Sequence, residues 1–556
     1  MAYISAHFDS EKNKVFVLEN DNGEPTTKIY KPEYFFYVED ENGSHLSTFR
    51  TKVKRLEFNT NKDYRTAIKK HQNFGKRLFE SGVKPLFKTL EKHYKGVTKK
   101  FKLRKTYFDI EVDWHPVKGF APPEDPFNKI TAISLFNDWE GVVYSLVLPP
   151  PTMKYSDAEE LLKDIPNNII CQDEEQLFEL FFELTKDTQI YTGWNSSFFD
   201  IPYIVNRSKQ VMGKDSVKNF CLWGYTPVSR TMKKYGKESE TFDLIGKVHL
   251  DMMELYQKYT FSEKASYSLD YITNEELGKK KVAYNGSLDD LYKNDFRKFV
   301  EYSRQDTQLL FDLDSKLDHI NMAYAIAHGS LVDIKTVMGA VALSDNAIVL
   351  EAHSLNMVVP DKVRSNGDVK IAGAMVVNPQ KGLHGYTGSV DLNSLYPSVF
   401  RALNLGNETI IGQVLHTITG PIIQERMSNI KESELDDSEF TDKKEATFAE
   451  AWRDFFWVKE FDEIHNQTDT MLQLQLNDGT VMEMSAKDIH DFVFQNGYII
   501  TANATIIRTD FKSVISTLLE RWYNERTQFQ KRAKTYASLV DGIELSDDMI
   551  KLLTSQ

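Results

Sequence analysis

The stretch Tyr107-Phe108-Asp109-Ile110-Glu111-Val112-Asp113 decides the fold. β-Branched and aromatic residues alternate with carboxylates, which predicts a strand with Asp109 and Glu111 on one face and apolar side chains on the other. Neighbouring carboxylates repel each other, and burying them without partners is costly. A hard divalent cation removes that cost, so the pair suits a metal-dependent phosphoryl-transfer site. The solvent-facing side of an edge strand is an equally good interpretation of this segment alone.

Length and composition limit the classes of protein. The chain has 556 residues, more than one hydrophobic core can hold, so we expect two to four domains. Its hydrophobic fraction of 41% and aromatic fraction of 12% are those of a folded globular protein. The formal net charge of -13 excludes nucleic-acid binding by bulk positive charge. This net charge is still compatible with an enzyme that processes DNA in a locally basic groove.

The cysteines and the N-terminal residues indicate the cellular compartment in which we expect the protein. Cys171 and Cys221 match no zinc-binding spacing, and two thiols in a chain of this size favour a reducing cytoplasm. The N-terminal residues show no basic segment followed by an apolar one, and no apolar run reaches about 20 residues. We therefore expect a soluble cytoplasmic protein without a membrane partner.

The hydrophobic pattern predicts a mixed sheet around the first stretch. Three consecutive strands form a meander and a strand–helix–strand crossover follows, with strands at 129–136, 142–148 and 189–192 and a helix at 173–186. Turn residues between alternating segments predict hairpins at 14–30 and 472–484, and a loop or hairpin at 229–241.

Asp200 is the first candidate to join the carboxylate pair. It stands at a predicted helix start, directly after the strand at 189–192 and within the run from Gly193 to Tyr203. A carboxylate at that place could merely cap the helix. Both interpretations stay open from the sequence.

Asp306 and Tyr302 are the next candidates. They fall in a gap of the apolar stripe of a predicted helix at 296–320, on its inward side. A carboxylate on the core face of a helix needs a partner. Asp306 could therefore converge with Asp109, Glu111 and Asp200 in a two-metal site, where Tyr302 would orient an attacking water.

A basic segment precedes the carboxylate pair. From Lys88 to Lys105 there are eight Lys or Arg residues against one acid, Glu91, with Tyr94 and Phe101 interleaved. Such a run is typical of a solvated face. In an acidic chain it also suits a groove that follows a phosphate backbone.

Three motifs resemble the exonuclease motifs of proofreading DNA polymerases, in the subclass with four acids and a tyrosine. They are Phe-Asp-Ile-Glu at 108–111, Gly-Trp-Asn-(x)3-Phe-Asp-Ile-Pro-Tyr-Ile at 193–204 and Tyr-(x)3-Asp at 302–306. The resemblance implies an α/β chain with a ribonuclease H-like 3′–5′ exonuclease domain. It also implies Mg²⁺ or Mn²⁺, two per active site, with Asp109, Glu111, Asp200 and Asp306 as ligands.

The run Ser389 to Ser398 is a second motif region. By chemistry alone one aspartate, Asp391, ends a strand and a turn presents backbone N–H groups, either as a triphosphate cradle or as an ordinary proline turn. With the upstream motifs it resembles the first palm motif of family B DNA polymerases. The resemblance implies that Asp391 binds both catalytic metals, that the Tyr396 ring blocks a ribose 2′-OH, and that a triphosphate is held by Leu392, Asn393, Ser394, Leu395 and Tyr396. Gly373-Ala374 resembles the family's linker that touches the template strand.

The last strong element is a predicted amphipathic helix at 510–534. Its basic residues could simply complement the helix dipole. It also resembles the first fingers helix of the family, which implies that Arg526 contacts the triphosphate. The family's lysine four residues later is replaced by Gln530, with Lys531 one residue on.

The predicted organisation resembles the N-terminal part of a replicative polymerase of the T-even phage type. A β-rich N-terminal domain spans 1–103 and is joined by 322–372, the exonuclease domain spans 104–321, a partial palm spans 373–505, and the fingers start at 506–556. Within the palm, 431–444 is an acidic surface stretch, and the hairpin with a helix capped by Ser485 and Gly497 is an accessory decoration.

The later palm and fingers motifs of the family are not in the printed sequence. We therefore expect a split or truncated enzyme whose synthesis needs a second polypeptide with the rest of palm, fingers and thumb. Expected partners are primer–template DNA, single-stranded 3′ ends and deoxynucleoside triphosphates, with a sliding clamp reached through the second chain. If phage-encoded, the protein would work in the host bacterial cytoplasm. The alternatives are a stand-alone 3′–5′ exonuclease and a non-catalytic DNA-binding subunit.

Overall fold

The computed structural model describes two compact units of the chain. The described residues are 2–21, 24–97, 102–234, 237–260, 262–362, 380–392, 394–415, 425–431, 443, 447, 450–451, 471–477, 479–501 and 504–540. One unit comprises Met1–Phe36, Leu56–Gly75 and Ser81–Ala347, and the other comprises Tyr37–Arg55, Lys76–Glu80 and Ile348–Gln556. The domain boundaries near 103, 321, 372 and 505 stay predictions.

The strands are given in chain order. They are β1 (Ala2–Asp9), β2 (Lys14–Asp21), β3 (Glu24–Tyr30), β4 (Tyr34–Glu39), β5 (His45–Ser47), β6 (Lys52–Phe58), β7 (Leu78–Phe79), β8 (Lys105–Val112), β9 (Ile130–Asn137), β10 (Val142–Val147), β11 (Asn168–Ile170), β12 (Ile190–Thr192), β13 (Val228–Lys234), β14 (Lys237–Asp243), β15 (Val248–His249), β16 (Met357–Val358), β17 (Ile410–Val414), β18 (Met471–Leu476), β19 (Val481–Ser485), β20 (Ile499–Ile500) and β21 (Thr505–Ile507).

The α-helices follow the same convention. They are α1 (Asn61–Asn73), α2 (Pro85–Tyr94), α3 (Tyr155–Leu162), α4 (Glu174–Leu184), α5 (Asp200–Met212), α6 (Met252–Tyr259), α7 (Leu269–Leu277), α8 (Leu288–Asn294), α9 (Phe296–Leu317), α10 (His319–Gly329), α11 (Ala340–Ser354), α12 (Leu395–Ala402), α13 (Ala486–Gln495) and α14 (Val514–Val540). Short 3-10 helices lie at Lys214–Phe220 and Ile334–Thr336.

A six-stranded mixed sheet, in the order β11-β10-β9-β8-β12-β15, organises the first unit. β8, β9 and β10 pair antiparallel as the predicted meander, and β12 lies parallel to β8 after the crossover through α4. β8 has a neighbour on each side, so the edge-strand interpretation of its carboxylates is wrong. The predicted hairpins of β2 with β3 and of β13 with β14 are confirmed.

The two faces of β8 meet different partners, because side chains alternate along a strand. Phe108 and Ile110 are buried in a core that includes side chains of α4 and α5. On the opposite face, Tyr107 donates its hydroxyl to Asp314 of α9 over 2.6 Å. Asp109 and Glu111 share that face, so the strand directs both carboxylates towards α9. Helices on both faces of a mixed sheet agree with the ribonuclease H-like fold.

α9 is fastened to the sheet by small polar side chains. Ser303 and Ser134 of β9 share a hydrogen bond of 2.7 Å, and Thr307 donates to the Ser134 carbonyl over 3.3 Å. The helix ends at Leu317, three residues earlier than predicted, because Asp318 adopts a left-handed conformation with φ 55°. Ile320 therefore belongs to α10 and still packs in a core with Leu310.

In the second unit a five-stranded sheet has the order β19-β18-β17-β21-β20. The hairpin of β18 with β19 is confirmed, and Ser485 caps α13 by accepting the Asp488 N–H over 3.1 Å. The predicted strand that ends at Asp391 is wrong: residues 380–392 form no strand, since no described segment pairs with them. The long C-terminal helix, α14, begins four residues later than predicted, where Ser513 accepts the Ser516 N–H.

Candidate metal centre and exonuclease site

Three carboxylates meet between β8 and α9. Ligand oxygens of Asp109, Glu111 and Asp306 lie within 4.8 Å of one another, and this is the one such group among the described residues. Glu111 is 8% exposed and Asp306 2%. The pairing of strand and helix therefore brings together three of the four carboxylates that the sequence analysis expected to converge, and their role as metal ligands stays a prediction.

The cluster holds protons more tightly than isolated carboxyl groups do. Burial raises the pKa of Asp109 to about 7, and the charge of Asp306 adds to this shift. Burial, followed by the charges of Asp109 and Asp306, raises the pKa of Glu111 well above its usual range. Like charges at this separation repel, so the ionised cluster needs a cation nearby.

The donor set fits a divalent cation. The Oδ1 atom of Asp306 is buried and accepts no hydrogen bond from the described residues. Carboxylate oxygens are the ligands that Mg²⁺ and Mn²⁺ prefer. The orphaned oxygen and the three clustered carboxylates thus match a hard metal ion in chemistry and number of donors.

Asp200 approaches the cluster from α5. It is the first residue of that helix and is 4% exposed. Its Oδ1 accepts the N–H of Ile110 over 3.2 Å. Ile110 is the residue between Asp109 and Glu111 on β8. Burial, followed by the charge of Asp109, raises its pKa well above the usual range. A helix-capping role alone would not require this contact with β8.

Lys281 is a member of the site that the sequence analysis missed. Its Nζ lies 2.5 Å from Oδ2 of Asp306 and donates to the Tyr302 hydroxyl over 3.1 Å. Tyr302 is one turn before Asp306 on α9, as predicted, and burial raises the pKa of its hydroxyl. The run Lys279-Lys280-Lys281 was the available signal, since a buried group of acids requires a nearby cation.

The loop that follows β8 carries an aromatic pair, also missed. Trp114 and Phe120 pack edge to face with ring centroids 4.9 Å apart. They are 39% and 56% exposed. Exposed rings offer stacking surfaces to unpaired bases.

The described cations of the basic segment at 88–105 have partners inside the first unit. Lys88 is 3% exposed and donates to the Phe35 carbonyl. The others pair as follows: Lys92 with Glu33, Lys95 with Glu91, Lys102 with the Asp138 carbonyl, Arg104 with Glu24 and Lys105 with Asp314. Lys99 and Lys100 lie outside the described residues. The described part of the segment therefore favours a structural role over a phosphate-binding groove.

The predicted nucleotide site lies in the second unit. Arg526 of α14 donates to the Ser394 hydroxyl over 3.1 Å, so the two motifs predicted to contact a triphosphate meet. Asp391, Leu392, Leu395 and Tyr396 are exposed, and the Tyr396 ring is 70% accessible. Asn393, Gly373-Ala374 and nearly all of 431–444 lie outside the described residues. Roles for these residues stay predictions.

Two family models match the chain. The model "DNA polymerase family B, exonuclease domain" matches residues 55–272, and "DNA polymerase family B" matches residues 332–457. The first range contains Asp109, Glu111 and Asp200, and the second contains Asp391. Asp306 and Arg526 lie outside both ranges, so the family models do not cover these two residues.

Several curated relatives are DNA polymerases. A DNA-directed DNA polymerase of Escherichia phage RB69 is 28% identical over 417 residues, which is 71% of this chain and 46% of the relative. The corresponding protein of Enterobacteria phage T4 is 30% identical over 41% of this chain and 25% of the relative. The DNA polymerase delta catalytic subunit of Schizosaccharomyces pombe is 30% identical over 40% of this chain and 22% of its own length. The chain thus spans less than half the length of these relatives.

The described helices are too short or too polar to span a lipid bilayer.

Proposed function

Because this chain belongs to family B of the DNA polymerases, we propose that its first unit is a 3′–5′ proofreading exonuclease acting in DNA replication. The observation that carries the proposal is the convergence of Asp109, Glu111 and Asp306 within 4.8 Å. Asp200 and Tyr302 beside them complete the motif set of the family's active nucleases. The substrate would be the single-stranded 3′ end of a primer.

Each residue of the site has a proposed task. A pair of Mg²⁺ or Mn²⁺ ions held by Asp109, Glu111, Asp200 and Asp306 would supply charge neutralisation at the scissile phosphate and a more acidic water. The Tyr302 hydroxyl would orient that water for attack on the phosphorus. Lys281 holds this hydroxyl by a hydrogen bond of 3.1 Å and so restricts its direction.

The aromatic pair supports binding of a frayed 3′ terminus. Trp114 and Phe120 stand on the loop that leaves β8 just after Glu111 and expose part of each ring. A base that has left its duplex regains stacking energy on such rings, about 1–3 kcal/mol per base. We therefore place the terminal bases of the primer against this loop.

For the second unit we propose the first part of a polymerase site. The support is the contact of Arg526 with Ser394, which joins the predicted fingers helix to the palm motif. Asp391 would bind metal ions, and residues 392–396 would contact the triphosphate. The second polypeptide that completes palm, fingers and thumb, and a clamp bound through it, stay predictions, as does action in a host bacterial cytoplasm.

The first experiment measures degradation of a 5′-labelled single strand in the presence of Mg²⁺. We expect stepwise shortening from the 3′ end by the wild-type chain and none by Asp109→Ala/Glu111→Ala. A matched control is Glu159→Ala/Glu160→Ala, which removes two exposed acids from α3. The control should degrade the strand at the wild-type rate.

The alternatives give different results in the same assay. A primed template with deoxynucleotides tests synthesis, and extension only after addition of a second polypeptide would support the split enzyme over a stand-alone nuclease. A non-catalytic DNA-binding subunit predicts no shortening by the wild-type chain at any Mg²⁺ or Mn²⁺ concentration. That result would overturn the exonuclease proposal.

A further inference from the structure

The loop from Gly193 to Phe199 leads directly into Asp200, the first residue of α5, and no side-chain cap stabilises the start of this helix. The N-cap residue of α5, Phe199, makes no side-chain capping hydrogen bond. Asn195 adopts a left-handed backbone with φ 60°, a conformation that Asn tolerates better than most residues with a Cβ atom. Inside the loop the Phe198 N–H donates to the Asn195 carbonyl over 3.1 Å, and the other contacts described below come from outside it.

Asp251 supplies two of these contacts. It precedes α6 and is 3% exposed. Its Oδ1 accepts the Asn195 N–H over 3.1 Å, and its Oδ2 accepts the Ser197 N–H over 2.9 Å. Carboxylate bonds to backbone N–H groups are stronger than neutral ones. One buried side chain thus anchors the middle of the loop.

The residues beside Asp251 hold the rest of the loop. The Met252 N–H donates to the Gly193 carbonyl over 2.9 Å. His249 Nε2 and the Ser196 hydroxyl lie 2.8 Å apart. Burial lowers the pKa of His249 to about 3, so the ring is neutral at physiological pH. Three residues of the segment 249–252 therefore contact four residues of the loop: Gly193, Asn195, Ser196 and Ser197.

The loop passes this restraint to Asp200. The Ile201 N–H donates to the Ser196 carbonyl over 3.0 Å, which fixes the first turn of α5 relative to the loop. Asp200 stands inside that turn, and its carboxylate accepts the Ile110 N–H of β8. A shift of the loop would move Asp200 relative to Asp109 and Glu111.

We propose that Asp251 is a positioning residue of the exonuclease site. By holding the loop from Gly193 to Phe199, it places Asp200 beside Asp109 and sets the affinity of the site for a divalent cation. This inference rests on the proposed exonuclease function for its consequence in catalysis, and on geometry alone for its consequence in metal binding.

The ordinary alternative is that Asp251 only caps α6. Its Oδ1 also accepts the N–H groups of Met253 over 2.9 Å and of Glu254 over 3.3 Å. Oδ1 serves both the cap of α6 and the Asn195 N–H of the loop, whereas Oδ2 accepts the Ser197 N–H of the loop. Asp251→Asn keeps an oxygen for the three donors that share Oδ1, so the cap of α6 survives. Its amide nitrogen then faces the Ser197 N–H, so one of the two Asp251 bonds to the loop is lost while the bond to the Asn195 N–H stays.

The test is a titration of the full chain with Mn²⁺, in which the electron paramagnetic resonance signal of free Mn²⁺ reports binding. We expect Asp251→Asn to weaken binding by about 10-fold at an unchanged number of sites, as for other residues that orient metal ligands. The control is Asp173→Ala, which removes the N-cap of α4, where the side chain accepts only the Gln176 N–H. A partly unfolded variant would bind fewer ions per chain without a change in affinity.

The outcomes are distinct. Unchanged affinity in Asp251→Asn, or a fall only in the number of sites, overturns the positioning role. Strand degradation supplies the second readout: in Asp251→Asn the Mg²⁺ concentration for half-maximal rate should rise about 10-fold, and excess Mg²⁺ should restore most of the rate. Wild-type chain that binds Mn²⁺ but degrades no strand would overturn the exonuclease function, and the binding comparison would still decide the role of Asp251.

Discussion

Lys281 Nζ lies 2.5 Å from Oδ2 of Asp306 and brings a positive charge to the cluster of carboxylates. The Asp306 side chain is 2% exposed and that of Lys281 28%. Burial acts to lower the pKa of Lys281, but the negative charges around it, that of Asp306 above all, raise it well above the ordinary value. The ammonium group therefore stays charged and neutralises part of the cluster when no metal is bound.

Lys281→Met should destabilise the metal-free protein. Removing one partner of a buried ion pair leaves an uncompensated charge and costs about 3 kcal/mol. The loss should appear in urea denaturation with EDTA and should shrink when Mg²⁺ is present, since the metal ion replaces the missing charge. Lys279→Met is the control, because Lys279 is 55% exposed and its pair with Asp312 is a surface pair. Equal losses in the two variants would contradict this account.

The stability of the metal-free protein should fall as the pH rises from about 4 to about 7. Burial and Asp306 raise the pKa of Asp109 to about 7, whereas the unfolded chain titrates near 4. The folded state therefore binds more protons than the unfolded state in this interval, and its advantage is lost as the pH passes the folded pKa.

Divalent metal should consequently raise the melting temperature more at about pH 8 than at about pH 5, because protons compete for the same oxygens. Calorimetry with and without Mg²⁺ measures the difference, and Asp109→Asn should reduce it. A metal effect independent of pH would mean that these carboxylates are not the ligands.

Tyr302→Phe should slow strand degradation on the order of 10- to 100-fold, since the oriented hydroxyl is lost while the ring stays. Mn²⁺ affinity should not change, because the proposed metal ligands are the carboxylates and the neutral hydroxyl is assigned only to the water. Single-turnover kinetics at saturating Mg²⁺ give the rate. Tyr284→Phe serves as control, as the Tyr284 ring packs edge to face on Tyr302 with centroids 5.3 Å apart. A normal rate in Tyr302→Phe would remove the hydroxyl from the mechanism.

Gly193→Ala should destabilise the protein by about 1–3 kcal/mol and weaken Mn²⁺ binding. An added Cβ would lie 2.9 Å from the Phe108 carbonyl oxygen and 2.9 Å from Cβ of Ser196, so the loop would have to move away from β8. Gly329→Ala is the matched control, because nothing lies within 4 Å of its Cβ position. Thermal unfolding and the Mn²⁺ titration would detect the difference, and similar behaviour of both variants would exclude the close approach of loop and strand.

Local pattern was sufficient for much of the site. Alternation along 107–113 predicted the strand and the shared face of Asp109 and Glu111, because strand side chains alternate regardless of context. The gap in the apolar stripe of α9 identified Asp306 and Tyr302, because the helical repeat likewise fixes which side chains share a face. The end of that helix was predicted less well, since the left-handed conformation of Asp318 has no strong sequence signal.

By itself the sequence determined which residue types stand on which face of each element, since the periods of strand and helix are properties of the local backbone. Only the tertiary structure decided that β8 is an interior strand, that Lys281 neutralises Asp306, and that Asp251 holds the loop before Asp200. Each of these depends on contacts between segments tens of residues apart, and such contacts leave no periodic trace in the chain. The strand predicted to end at Asp391 failed for the same reason. A strand requires a hydrogen-bonded neighbour, and the residue pattern alone cannot supply one.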